Sequence, residues 1–505
     1  MFSNLGDVAG LLLAPTSILL IAIGSILGVI VGAIPGLTGA MLIALALPLT
    51  FAMQGEQAMI LLVSMYVGSV SGGLVTATLL RMPGTPASIM TTLDGYPLAK
   101  RGQAGRALAL GVGGSFVGGM ISWLFLVTLA GPMAQWSLSF GPWEFFALVV
   151  VAMVMIASVG GKSLSLGLLS GALGILVAMP GASPATGVSR LTFGIAELDD
   201  GFKLLPVLIG LFAVNQVIKQ LIESKRQPTE VVEQGTSFEW DFRGDDGKRH
   251  GWNAIRSSLI GTWVGILPGI GANVGSVMSY SAAKRASATP EEFGKGSEEG
   301  IVASETANNA TVGGALIPLI SMGIPGSVID AILLGALTIH GLQPGPMLMQ
   351  SDPLVVQTIV GSMLLANLAV TAFLFFGVRL MVKAATVPQY VLLPVVMVFC
   401  VIGSYALANR MFDVWVMLGF GVIGYGLERL RIPLAPFVIG LVLAPIGEEH
   451  LSAGLMQSGG SWLPLISQPI SASLCVLATV LLAWTLRRRF QQPSQESTPM
   501  TNATE

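Results

Sequence analysis

Five unbroken apolar runs, at residues 17–34, 58–80, 143–159, 389–407 and 471–486, each approach the length that crosses a bilayer core of about 30 Å. They make lipid the solvent in which most of this chain folds. Only 10% of the 505 residues are charged and 53% are hydrophobic, a balance that excludes disorder and argues against a water-soluble multidomain enzyme. Counting all such runs predicts roughly 11 to 13 crossing or re-entrant segments. The runs are continuously apolar rather than alternating, which excludes a transmembrane β-barrel. A net charge of −2 with no basic stripe gives no reason to expect nucleic acid. Cys400 and Cys475 fall inside apolar spans and read as small hydrophobes, with no disulfide and no redox role. The first apolar run lacks a basic n-region and a small-residue cleavage site, so it reads as a retained helix.

Within this frame the chain repeats itself. Gly32-Ala-Ile-Pro-Gly36 recurs as Gly265-Ile-Leu-Pro-Gly269, an offset of 233. Pro83-Gly-Thr85 recurs as Pro325-Gly-Ser327 at an offset of 242, each about ten residues after a Gly-Gly pair. Pro206-Val-Leu-Ile-Gly-Leu211 recurs as Pro436-Phe-Val-Ile-Gly-Leu441 at an offset of 230. Any one match is weak in a chain rich in Gly and Pro. Their shared order points to a duplication, and transporter folds are commonly built that way.

Charge placement predicts how the halves are oriented. Lys and Arg mark cytoplasmic segments. In the first half, residues 40–57 carry none, whereas 94–106 hold Lys100, Arg101 and Arg106; in the second, Lys284, Arg285 and Lys295 follow the first Pro-Gly and residues 340–355 carry none. Equivalent loops are thus expected on opposite faces, as in an inverted-topology repeat. Residues 1–222 form the first membrane repeat in this reading and 251–455 the second. A polar linker at 223–250, with Lys225, Arg226, Arg243, Lys248 and Arg249, is assigned to the cytoplasm. A last transmembrane helix occupies 456–490. The Arg487-Arg-Arg489 run puts the disordered tail, 491–505, on the same side.

Four Pro-Gly elements, at Pro35, Pro83, Pro268 and Pro325, lie in or beside apolar stretches. Proline breaks a helix, glycine permits positive φ, and broken backbone at membrane depth is tolerated only beside protein or a water-filled cavity. They read either as ordinary kinks or as paired half-helices whose N-termini hold an anion without a buried arginine. On the second reading Pro35, Gly36, Thr38, Pro83, Gly84, Thr85, Ser88, Asn273, Ser276, Pro325, Gly326 and Ser327 bind substrate. Glu305, Asn308 and Asn309 lie one helical turn apart and project to one face. An ionisable residue in a span is a candidate for ion or proton coupling, although Glu305 reads equally as an interfacial charge near a helix start. Asp330 has the same two readings, coupling group or helix N-terminal charge. Arg81 either pairs with a substrate carboxylate or snorkels to the interface. His340 and Glu448-Glu-His450 read as loop residues. There is no Walker lysine motif, nucleophile elbow or zinc-spaced Cys/His cluster, so no enzymatic activity is expected. An intramembrane enzyme would have only Glu305 and Asp330 for its dyad. A stand-alone channel or a lipid-handling carrier is the alternative function.

Residues 32–40 (GAIPGLTGA), 72–95 (GGLVTATLLRMPGTPASIMTTLDG), 265–273 (GILPGIGAN), 304–327 and 436–449 (PFVIGLVLAPIGEE) resemble the large membrane subunit of the tripartite tricarboxylate transporters, the TctA family. The resemblance implies an all-α, polytopic, elevator-like transporter with broken helices and re-entrant hairpins, multi-pass in the bacterial inner membrane. It implies two protein partners: a small, four-helix, TctB-like membrane subunit and a TctC-like periplasmic solute-binding protein. It implies uptake of an organic carboxylate driven by a Na+ or H+ gradient, with the Pro-Gly loops forming the substrate and coupling-ion region and no other cofactor. Citrate is not implied.

Overall fold

The computed structural model describes residues 5–159, 164–223, 239–385, 387 and 389–491. Lys225, Arg226 and the tail from residue 492 onward lie outside the described residues. The first half runs α1 (Leu5–Leu12), α2 (Pro15–Ala33), α3 (Gly39–Ala46), α4 (Gly55–Leu79), α5 (Ile89–Leu98), α6 (Ala104–Ser137), α7 (Pro142–Val159), α8 (Leu164–Ala178), α9 (Leu204–Ile209) and α10 (Asn215–Glu223). The second half opens with α11 (Asp246–Ile266), α12 (Gly271–Ala286), α13 (Glu298–Met322) and α14 (Val328–Ile339). It continues through α15 (Leu348–Ser351), α16 (Pro353–Ala385), α17 (Gln389–Ala406), α18 (Met411–Arg429), α19 (Leu434–Gln457), α20 (Leu463–Ser467) and α21 (Pro469–Gln491). Among the described residues the only sheet is a two-stranded antiparallel ladder pairing Gly181 with Arg190 and Ala182 with Ser189.

Among the described residues, seven helical stretches are long and apolar enough to cross a membrane, and further apolar helices of 10–17 residues accompany them, α3 and α14 among these. The protein is an all-α, polytopic membrane protein. Its outer surface carries large apolar side chains, such as Leu19, Trp263, Phe376 and Trp415, as a lipid-facing surface should. The interior is built on α4 and α13, buried continuously from Ala58 to Leu79 and from Gly300 to Ser321. Both are rich in Gly, Ala, Ser and Thr around their whole circumference, which lets neighbouring backbones approach closely on every side.

Glycines register these contacts twice. A Cβ at Gly32 would lie 2.3 Å from the Ser69 carbonyl oxygen; one at Gly265 would lie 2.5 Å from that of Thr311. Gly28 meets Met65 as Gly261 meets Ala307, and Gly72 meets Val29 as Gly314 meets Thr262. Every α2 residue in these pairs maps to α11 by the 233-residue offset, and every α4 residue to α13 by the 242-residue offset. The ends of α2 and α11 also match. Ile34 N–H bonds the Val31 carbonyl at 3.1 Å and Leu267 N–H that of Val264 at 3.2 Å, followed by positive φ at Gly36 (86°) and Gly269 (73°).

Packing between the halves is reciprocal. α6 of the first half lies along α13 of the second, and α16 of the second lies along α4 of the first. α3 packs on α14, while α12 packs on α5 and on the 3-10 turn Pro86–Ser88 that precedes it. At one end the two basic segments meet: Asp94 Oδ1 accepts from the backbone N–H groups of Gly294, Gly296 and Ser297 at 2.8, 2.9 and 2.8 Å. The two segments free of Lys and Arg meet as well, with Thr50 Oγ1 3.0 Å from His340 Nε2. The Thr50 hydroxyl donates to the Leu47 carbonyl at 2.6 Å, so the histidine supplies the proton from Nε2.

Candidate functional site

Four helices begin at the Pro-Gly breaks, and their caps differ. Thr38 caps α3, its side chain accepting from Met41 N–H at 3.2 Å. Thr85 and Ser88 cap the next helix jointly: Thr85 N–H donates to Ser88 Oγ at 3.2 Å and Ser88 Oγ donates to the Thr85 carbonyl at 2.8 Å. Ser327 caps α14, accepting from Asp330 N–H at 3.4 Å. α12 starts behind Gly271, at φ 70°, with no side-chain cap. Three of the four N-termini thus satisfy one main-chain donor internally and leave the rest of the first turn to other partners.

Within each half the two breaks abut. A Cβ at Gly84 would lie 2.1 Å from the Gly32 carbonyl oxygen and one at Gly326 2.7 Å from that of Gly265, while Gly269 N–H donates to the Gly326 carbonyl at 2.8 Å. Across the halves, Ile329 of α14 touches Gly39 of α3, and Tyr66 Oη lies 3.4 Å from Ser327 Oγ. Pro325 is buried, whereas Pro35 and Gly36 are half-buried and Pro83 is exposed. Asn273 is exposed on α12, whereas Ser276 is buried and spends its hydroxyl on the Ser304 carbonyl at 3.1 Å.

Glu305, Asn308 and Asn309 share one face of α13, as their spacing requires, and all three are buried. Glu305 sits seven residues inside the helix with no exposure at all, which removes the interfacial reading. Its carboxylate accepts from Thr91 Oγ1 at 2.5 Å and Ser115 Oγ at 3.4 Å. Asn309 is bonded at both ends of its amide, accepting from Ser71 Oγ at 2.6 Å and donating to the Glu305 carbonyl at 3.2 Å. Asn308 donates to the Val70 carbonyl at 3.2 Å and keeps a buried, unpartnered Oδ1. Asp330 is equally buried at the third residue of α14, where it faces Tyr66 and Ser327. Arg81 is exposed, with φ 54° and its guanidinium 5.6 Å over the Tyr96 ring. It occupies the position equivalent to Gly323 (φ 71°) at the end of α13, so its backbone terminates α4.

Sequence reasoning did not single out four further residues. Asp94 is wholly buried and accepts from Tyr280 Oη at 2.7 Å besides its three backbone donors. The Arg106 side chain, 1% exposed, forks between Asp246 (2.6 and 2.7 Å) and Glu298 (2.8 and 2.8 Å), and His250 Nε2 lies 3.1 Å from Glu298. Hydrogen bonding to Arg106 holds the Asp246 carboxyl below its ordinary range. Gln220, 5% exposed, lies against the Gly36 backbone with neither amide atom hydrogen-bonded. Tyr66 sits in an apolar run where nothing local distinguishes it from a core aromatic.

Lipid-length helices around interrupted, polar half-helices define a multi-pass α-helical membrane protein whose polar interior is made at helix breaks. The comparisons specify which one. The chain belongs to the tripartite tricarboxylate transporter TctA family, whose profile spans residues 18–439. It is 35% identical over 485 residues, 96% of either chain, to an Agrobacterium vitis protein described as an uncharacterized 52.8 kDa protein in the TAR-I ttuC' 3' region. A second Agrobacterium vitis protein, described as uncharacterized in the TAR-II ttuC' 3' region, is 38% identical over 220 residues, 44% of this chain and 91% of that relative. No solved structure is significantly matched.

Proposed function

We propose that this chain is the substrate-translocating subunit of a tripartite secondary transporter in the bacterial inner membrane. It takes up small organic carboxylates against a gradient, driven by Na+ or H+, with a small membrane subunit and a periplasmic solute-binding protein as partners. Residues 1–222 and 251–455 are two inverted-topology repeats moving in an elevator-like manner, joined by a cytoplasmic linker at 223–250 and followed by a C-terminal segment, 456–490, whose membrane helix is α21.

The observation that carries this reading is reciprocal pairing at the breaks. Each half lends the N-terminus of one short helix to the other, α3 against α14 and α12 against the turn before α5. Half-helix N-termini present free N–H donors and a partial positive charge, which suit a carboxylate and need no buried cation. The inverted orientation is supported by which segments touch, the two basic ones at one end and the two free of Lys and Arg at the other. Thr38, Thr85, Ser88, Asn273 and Ser327, with the Pro-Gly backbones, form the substrate region; Glu305, Asn308, Asn309 and Asp330 serve ion coupling.

Reconstitution tests this directly. Proteoliposomes holding the complete membrane complex are given di- and tricarboxylates under separately imposed sodium and proton gradients, with and without the binding protein. Gradient-driven accumulation that needs the binding protein is expected. Passive flux indifferent to both would instead identify a channel.

A further inference from the structure

Among the described residues, Asp94, Glu305 and Asp330 are carboxylates wholly buried near the helix breaks, and the fold provides donors for the first two. Glu305 has two hydroxyl donors. The Asp330 carboxylate faces the Tyr66 and Ser327 hydroxyls, but neither of its oxygens has a partner in good hydrogen-bonding geometry. The two hydroxyls beside it, of Tyr66 and Ser327, lie 3.4 Å from each other, and Ser327 Oγ already accepts the Asp330 N–H.

No described cation pairs with Asp330, and the elements packed on α14 offer none. α3 and α9 contain no charged residue, and Lys203, just before α9, pairs with Asp200 at 3.5 Å. α4 presents Tyr66 there, its one carboxylate, Glu56, lying in its first turn. On α13, Glu305 is held by Thr91 and Ser115, while Glu298 and Glu299 are in the first turn. On α19, whose helix rather than the expected loop carries these three residues, Glu448 pairs with Arg190 at 2.5 Å, His450 stacks on Phe145, and Glu449 stands between them in sequence. His340, at the far end of α14, bonds Thr50.

The opposite half has no such group. The 242-residue offset that maps Thr85 onto Ser327 maps Ser88 onto Asp330, and the Ser88 hydroxyl is satisfied by the Thr85 carbonyl. Asp330 is therefore an addition to the repeat rather than a requirement of its cap.

An ionised carboxylate buried without partners carries a penalty of several kcal/mol, which protonation removes. The α14 N-terminus offsets only a part of it. An ionised Asp330 beside Ser327 would also repel an arriving substrate carboxylate.

We propose that Asp330 is the proton carrier of transport: its carboxyl takes a proton from water on the side where the organic anion binds and returns it to water on the other side once the anion has left. Proton and anion occupancy are linked by their mutual charge, and substrate cycles as a proton symport. This rests on the transporter reading given above.

The full membrane complex, reconstituted with its binding protein and with the membrane potential clamped at zero, separates the two. With one proton per solute, a gradient of one pH unit is worth about 1.4 kcal/mol and sustains about tenfold accumulation by the wild type. Asp330→Asn is expected to accumulate no solute above the external level while retaining counterflow exchange at equal pH. Asp330→Ser, which installs the residue of the equivalent position, guards against a folding defect and should behave alike. The infrared difference spectrum on substrate binding should show a protonated carboxyl band that Asp330→Asn lacks. Asp330→Asn accumulation as strong as wild type under the pH gradient, or wild-type accumulation that follows sodium and ignores pH, overturns the proposal. Absence of both exchange and accumulation in the wild type would remove the transporter reading itself.

Discussion

Gly84 leans on Gly32 so closely that a Cβ at Gly84 would fall 2.1 Å from the Gly32 carbonyl oxygen, and Gly326 stands to Gly265 in the same way at 2.7 Å. In each half the second helix break is seated on the end of the helix that leads to the first. The neighbouring atom is backbone, which has no rotamer to yield. Overpacking at such a place costs about 1–3 kcal/mol and displaces the chain. Gly84→Val and Gly326→Val are therefore expected to abolish uptake while the protein still reaches the membrane, and Gly84→Ala to lower both uptake and the thermal midpoint in detergent. Normal uptake by Gly84→Val would remove the breaks from the transport site.

Arg81 behaves as a helix terminator with an exposed side chain lying over Tyr96. Arg81→Ala should keep most of the uptake. Arg81→Gly should raise stability by about 1 kcal/mol, because a left-handed φ costs a non-glycine residue about that much. Uptake assays and thermal melts of both variants check this; loss of uptake in Arg81→Ala would restore the guanidinium as a substrate contact.

Asp94 gathers four donors, three of them main-chain groups of the segment before α13. Asp94→Ala strands buried N–H groups at about 1–3 kcal/mol each, whereas Tyr280→Phe removes one bond worth about 1 kcal/mol. The expected order of thermal midpoints is wild type, Tyr280→Phe, then Asp94→Ala far below.

Arg106 bridges α6, α11 and α13 through Asp246 and Glu298. Removing one member of a fully buried charge pair costs about 3–5 kcal/mol; the Asp246 and Glu298 side chains keep some exposure, so Arg106→Ala should cost less than that and still unfold more readily. The Asp246 carboxyl is depressed in the folded state, so its share of the stability is present above the ordinary carboxylate range and is lost as pH falls through and below it. Melts recorded from neutral to acid pH should show that loss in the wild type, and a smaller one in Arg106→Ala.

Gln220 keeps a buried amide unsatisfied against Gly36. Replacing it with Leu removes a polar group that has no partner, which is neutral or stabilising. Gln220→Leu is expected to hold or raise the thermal midpoint and to lower uptake more than tenfold, the exchange of stability for activity seen where a residue serves a ligand. Unchanged uptake would make the amide a bystander.

The helical membrane class was legible because lipid imposes it: runs of bilayer length and four Pro-Gly interruptions leave few alternatives. The repeat offsets were legible too, and the glycine contacts follow the same two offsets residue by residue. The spacing of Glu305, Asn308 and Asn309 fixed a shared face but not its depth, which depends on α4 and α6 packing over it. Asp94, Arg106 and Gln220 escaped because their partners lie 140 to 203 residues away, as for Arg106 with Asp246 and Asp94 with Ser297, or, for Gln220, across a fold that sets α10 beside Gly36. A local window holds no trace of such a partner. Tyr66 was hidden by its apolar surroundings.

Helices α4 and α13 have almost no surface of their own: one is sheathed by α2 and α16, the other by α6 and α11, and Ser71 and Asn309 fasten them together at 2.6 Å. Each half lends the other part of its wrapping. Two polypeptides divided between the halves would each be an incomplete globule, and synthesised side by side they would be expected to find one another and assemble as the intact chain does.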